Sequence, residues 1–155
     1  MSQTEGEPLP ELSTINGNPS GYTEKLKAFL ANHSIELEYS KRIAPAKGLS
    51  SGGKITLLPD LSSAEHFAVL AHEVAHELLH KSEGRKKTTP TVRETEAEAV
   101  AFVVSSAIGL DIGTTSSDYI QRYDGDKETL AESLTFVQQT AAEILRAVMP
   151  ERPEI

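Results

Sequence analysis

The chain has 155 residues, enough for one domain with a modest core. Its formal net charge of −8 argues against a general nucleic-acid or anionic-membrane binder. It contains no cysteine, which excludes disulfides and thiolate zinc sites, so any metal must be held by histidine and carboxylate.

Hydrophobic residues make up 38% of the chain and aromatics 5%, so the core must be built from Leu, Val, Ile and Ala. No apolar run approaches the roughly 20 residues of a membrane span. The N-terminus lacks a basic start followed by an apolar stretch, so the expected compartment is the cytoplasm. Residues 1–20 are polar and carry Pro8, Pro10 and Pro19, the composition of a flexible, linker-like tail. A linker at the start is what a fragment of a longer chain, or a small domain with a loose arm, would show. The folded domain is expected over residues 21–150.

Tyr22 to Asn32 places Tyr22, Leu26, Phe29 and Leu30 at helical spacing. His33 falls at the end of that helix. Ile35 to Tyr39 alternates apolar and acidic residues, the pattern of a strand with one buried face. Ala46 to Ser51 is a weaker strand, Gly52-Gly53 a tight turn, and Lys54 to Leu58 the second strand of a hairpin. That last strand leads toward the next helix and is expected to lie along a cleft and pair with an extended peptide.

Ser62 and Ser63, with Glu65 behind them, cap a helix that carries Ala71-His72-Glu73-Val74-Ala75-His76-Glu77-Leu78-Leu79-His80. Its His-Glu-x-x-His core is the strongest chemical signal in the chain. On a helix His72 and His76 lie one turn apart and point the same way, so both imidazoles can hold one Zn²⁺. Glu73 is rotated by about 100°. It flanks the metal rather than binding it, which suits a general base acting on an activated water. Winding the helix puts Phe67, Leu70, Val74 and Leu78 in a wide apolar arc. His66, His72, Glu73, His76, Glu77 and His80 fall in a polar strip facing a cleft. The alternative is a capped core helix with two surface histidines.

Lys81 to Pro90 is a basic loop, read as a solvated connector, with contact to an acidic partner or nucleic acid as the alternative. Pro90-Thr91 starts a third helix running to about Ile108, stopped by Gly109. Asp111 to Thr115 is a turn and Ser116 to Tyr123 a short helix. Asp126 caps a final helix to about Val148 with Leu130, Leu134, Val137, Ala141, Ile144, Leu145 and Val148 at helical spacing, and Pro150 ends it.

A catalytic zinc needs three protein ligands and an open position. The metzincin spacing fails, because Ser82 stands where a third histidine is needed and Leu79 where a glycine is needed. On the third helix Glu94 and Glu98 share a face, while Glu96 points toward the side of Val100, Val103 and Ala107. From Ala97 onward that helix is apolar nearly all round, and a carboxylate on a buried helix needs a partner. Glu94 is therefore the expected third ligand. Glu98 would accept a hydrogen bond from the non-ligating nitrogen of a metal-bound histidine. The two roles are exchangeable, and the alternative is that Thr91-x-x-Glu94 is only a capping box and Glu98 a solvated charge. His80 reads as a helix-end residue with metal contact as the lesser alternative. His66 reads as solvated. Tyr119 is a candidate phenol donor to a substrate oxyanion, with simple packing as the alternative.

Ala-His-Glu-Val-Ala-His-Glu-Leu-Leu-His followed by Glu94-Thr-Glu-Ala-Glu-Ala-Val-Ala-Phe resembles the ImmA/IrrE-like zinc metallopeptidases. These are compact gluzincins with a Glu ligand on a later helix and a polar residue four positions on, which fall on Glu94 and Glu98. That family often has Asn or Asp where this chain has Glu98. Tyr39 to Val148 also resembles the C-terminal metallopeptidase domain of ArdC-like antirestriction proteins, in which a single-stranded-DNA-binding domain comes first.

The resemblance implies a minimal zincin-like α+β domain. A small antiparallel or mixed sheet of about three strands would pack on the active-site helix, with three or four further helices. It also implies a zinc-dependent peptidase acting on a peptide or protein substrate. An N-terminal DNA-binding domain would belong to a longer parent chain, and no direct nucleic-acid binding is expected of these residues. Two other functions stay open. One is a zinc-stabilised interaction or DNA-mimic module. The other is an accessory domain of a DNA-processing protein whose zinc only holds helices together.

Overall fold

Four segments with helical periodicity form helices, and three short extended segments form a sheet beneath them. The computed structural model of the chain describes residues 20–80, 89–110 and 127–149. Among these it has an α+β architecture of four α-helices and one three-stranded mixed sheet. The predicted tail, basic loop and short helix at Ser116 to Tyr123, and the Asp126 cap, lie outside the described residues.

Helix α1 (Ser20–Asn32) buries Leu26, Phe29 and Leu30, the residues its periodicity selects. His33 closes it, as its position predicts, by donating from Nδ1 to the Phe29 carbonyl at 2.9 Å. Strand β1 (Glu36–Tyr39) turns Leu37 inward, but its last residue departs from the alternation. Tyr39 is exposed, and its hydroxyl is hydrogen-bonded to His66 at 2.8 Å. His66, read as solvated, is thus tied to the sheet.

A 3₁₀ turn (Lys41–Ile43) leads to β2 (Gly48–Ser50) and β3 (Lys54–Leu57). The predicted hairpin forms, with β2 antiparallel to β3 and Leu49 opposite Thr56. The sheet order is β1-β3-β2, and β1 runs parallel to β3 with Leu37 opposite Ile55. This corrects the role expected of Lys54 to Leu58. As the central strand, β3 has a partner on each side, so its backbone is not available to an added peptide. Buried Ile55, Thr56 and Leu57 fit that position.

Helix α2 (Ser63–Leu79) lies against this sheet. Ser62 caps it by accepting from the Glu65 N–H at 3.1 Å. Phe67, Leu70, Ala71, Val74 and Ala75 fill the core from its apolar arc. Helix α3 (Pro90–Ala107) starts with proline in its first turn, capped by Thr89 accepting from the Val92 N–H at 3.1 Å. The capping-box alternative for Glu94 therefore falls, since Thr89 and not Thr91 caps this helix. Beyond Gly109 the Leu110 N–H returns to the Ser105 carbonyl at 2.9 Å. Helix α4 (Lys127–Val148) packs on α3 and α1 with Val137, Ala141, Ile144 and Val148 buried. No described helix is long and apolar enough to cross a membrane.

Candidate metal centre

Spacing alone puts His72 and His76 on one face of α2, and packing brings α3 across that face. Glu94, in the first turns of α3, reaches both rings. Its Oε1 is 3.0 Å from His72 Nε2, and its Oε2 is 3.1 Å from His76 Nε2. One donor atom from each of the three residues falls within a 4.8 Å cluster, the only group of this kind among the described residues. Two donors bound at about 2.0–2.1 Å to one tetrahedral ion sit roughly 3.3–3.4 Å apart. The two Glu94 separations are close to that, so the three side chains are near enough to share one divalent cation.

The electrostatics agree. Hydrogen bonds from His72 and His76 hold the Glu94 carboxyl well below the usual carboxylate range, with the charge of the two rings adding to the effect and burial opposing it. Glu94 is thus an anion although its side chain remains 57% exposed. An exposed carboxylate beside two imidazole nitrogens leaves a corner of the cluster open to solvent.

The polar strip of α2 is not one open face, as the winding argument expected. Its histidines line the cleft from His72 to His80, while two of its carboxylates are covered. Glu73 is 7% exposed and Glu77 is 9% exposed. Both lie under the β2–β3 hairpin. Glu77 accepts from the backbone N–H of Gly52 at 2.9 Å and of Gly53 at 2.7 Å, and from the Ser50 hydroxyl. Those two glycines have φ of +77° and +91°, a turn in which both N–H groups aim at one carboxylate. Glu77 therefore anchors the hairpin to the helix.

Glu73 sits where the hairpin comes closest. A Cβ on Gly48 would fall 2.9 Å from Glu73 Oε2 and 2.8 Å from Val69 Cγ1. Only glycine lets β2 pass the carboxylate at this distance. Two hollows meet there. One, of about 500 Å³, is lined by Gly48, Val69, His72, Glu73, Glu94 and Glu98. The other, of about 240 Å³, shares Gly48, Glu73 and Glu94 and adds Leu49, His76 and Arg93. Both run along β2, whose outer edge pairs with no other described strand.

The remaining candidates divide. Glu98 lines the larger hollow beside His72 and Glu94. The His76 nitrogen that faces away from Glu94 is occupied by His80, with Nδ1 to Nδ1 at 2.8 Å. His80 in turn meets Glu96. His80 is the C-cap of α2, the helix-end position expected of it, its N–H returning to the His76 carbonyl at 2.8 Å; the contact of its ring with Glu96 is not expected from the sequence. The overlooked signal was the i, i+4 step from His76 to His80, which continues the ligand face by one more turn. Tyr119 lies outside the described residues.

No family model, curated protein or solved structure matches this chain.

Proposed function

We propose that this protein is a zinc-dependent peptidase of the gluzincin type, in keeping with its resemblance to the ImmA/IrrE-like enzymes. One observation carries the proposal: His72, His76 and Glu94 converge beside a buried carboxylate, Glu73, that belongs to the same helix but not to the cluster. A site that only held helices together would have no use for that fourth group.

The donor set of two imidazoles and one carboxylate suits Zn²⁺. Zinc held there would polarise a carbonyl and make water more acidic. The chain's own groups supply the rest. Glu73, on the cavity wall, accepts a proton from the attacking water and returns it to the departing amine. Its burial against Gly48 and Val69 fixes where its carboxylate lies. The outer edge of β2 can add an extended peptide as a further strand, the role that β3 cannot fill. Leu49, exposed on β2, then faces substrate side chains.

The test is Glu73→Gln. The variant should retain zinc at wild-type stoichiometry and lose peptide hydrolysis by roughly 10²–10⁴-fold, the usual contribution of a positioned proton acceptor. Cleavage is read by mass spectrometry on a degenerate peptide mixture. Equal cleavage by wild type and Glu73→Gln would remove Glu73 from the reaction, and a wild type that binds no zinc would remove the peptidase reading altogether.

A further inference from the structure

Behind the metal cluster lies a second polar chain that the proposed reaction does not use. His76 Nδ1 meets His80 Nδ1 at 2.8 Å, His80 Nε2 meets Glu96 Oε1 at 2.8 Å, and the Ser133 hydroxyl donates to Glu96 Oε2 at 2.5 Å. Three elements contribute to it: α2 and its C-cap supply His76 and His80, α3 the glutamate and α4 the serine. It is sealed from solvent. Side-chain exposure is 1% for His80 and 0% for Glu96, and Ser133 is 1% exposed.

A fully buried carboxylate is an expensive way to join helices. Apolar residues of the same volume usually do as well, so such a group more often serves specificity or function than stability. Its hydrogen-bonding logic shows what it can do. An ionised carboxylate only accepts, so the nitrogen of His80 that faces Glu96 carries a proton. The other nitrogen of a neutral His80 then has a lone pair and accepts from His76 Nδ1–H. In the metal-free chain His76 Nε2 donates to Glu94; once a metal takes the place of that proton, a proton held at Nδ1 leaves the Nε2 lone pair facing the ion. Each step fixes the tautomer of the next ring.

The geometry points to Glu96 and His80, seated by Ser133, as positioning residues that hold the His76 ring in its metal-binding tautomer. This deepens the metal-site proposal and rests on it. For His76 the partner is His80, one turn on, and the carboxylate behind that ring is Glu96. Outer partners of this kind are typically worth 10–100-fold in metal affinity.

Two measurements test the relay. In the first, zinc affinity of the full chain is measured by competition with a chromophoric chelator for wild type and Glu96→Gln, with folding checked by circular dichroism. The relay predicts a folded Glu96→Gln whose zinc affinity is 10–100-fold weaker, with a shifted visible spectrum when cobalt replaces zinc. A folded variant that binds zinc as tightly as wild type overturns it. In the second, long-range ¹H–¹⁵N correlation spectra read the ring protonation of the zinc-loaded wild type. His80 should carry its proton on Nε2 with Nδ1 bare, and His76 should be protonated on Nδ1. A proton on His80 Nδ1 overturns the relay. This second measurement decides if Glu96→Gln does not fold. A wild type that binds no zinc defeats the peptidase proposal and the relay together, whereas a zinc-loaded wild type with His80 protonated on Nδ1 overturns the relay alone.

Discussion

The two flanks of α2 solve the same problem in opposite ways. On the hairpin flank the helix contributes carboxylates, and the sheet answers with backbone: Glu77 takes the N–H groups of Gly52 and Gly53, and Glu73 lies against Gly48. On the α3 flank the helix contributes imidazoles, and the neighbour answers with carboxylates: Glu94 for His72 and His76, Glu96 for His80. In the proposed function the hairpin flank shapes the base and the substrate groove, while the α3 flank shapes the candidate metal centre. Damage on each flank should then be felt in a different measurement.

The largest effect is expected on the α3 flank. Glu94→Gln removes the anionic member of the cluster, and zinc affinity should fall by more than the roughly 100-fold upper range of an outer partner, with hydrolysis lost alongside. Chelator competition measures it. Near-normal affinity would mean that the third ligand lies elsewhere.

The hairpin flank should give the reverse signature. Gly48→Ala pushes a methyl into Glu73 Oε2 and Val69 Cγ1. Hydrolysis should fall, by up to the roughly 10²–10⁴-fold that Glu73 can supply, while zinc affinity stays within a few-fold of wild type. A loss of zinc in this variant would erase the division between the flanks.

Glu77→Ala sharpens the comparison from the structural end. It strands the Gly52 and Gly53 N–H groups and the Ser50 hydroxyl beneath the hairpin. A cost of about 1–3 kcal/mol is expected, read as a drop of several degrees in Tm with the zinc affinity of the folded protein retained.

The smallest effect belongs to the Tyr39–His66 pair at the far end of α2. Burial, helped by the positive charge of Lys27 and opposed by Glu24, pushes the His66 ring below its ordinary value of 6.5. The unfolded chain then takes up a proton that the folded chain resists. The associated stability is present above about pH 6.5 and is lost as pH falls through that value toward the lower folded one. His66→Gln should flatten this part of the Tm-against-pH curve, and an unchanged slope would show that His66 is not its source.

Much of the site was legible in the residues because its signals are local. His72 and His76 share a face through the 3.6-residue repeat, and Glu73 is turned aside by the same repeat. Helix starts at Ser62 and Pro90 and the stop at Gly109 are also local, set by which side chains satisfy end groups. What stayed hidden depends on contacts between distant segments. Strands of three or four residues carry no signal of sheet order, so the residues of Lys54 to Leu58 do not reveal that theirs is the central strand. The fates of Glu96 and His80 depended on α4 arriving with Ser133, 37 residues beyond Glu96 in sequence.

By itself the sequence determined the helices, the hairpin and the pair of imidazoles one turn apart, because backbone periodicity and end-capping act over a few residues. Only the tertiary structure decided which glutamate of α3 meets the histidines, which is buried behind them, and which strand edge lies open beside Glu73. Those outcomes follow from the angle at which one helix crosses another and from non-local strand pairing, and neither is written in any short stretch of chain.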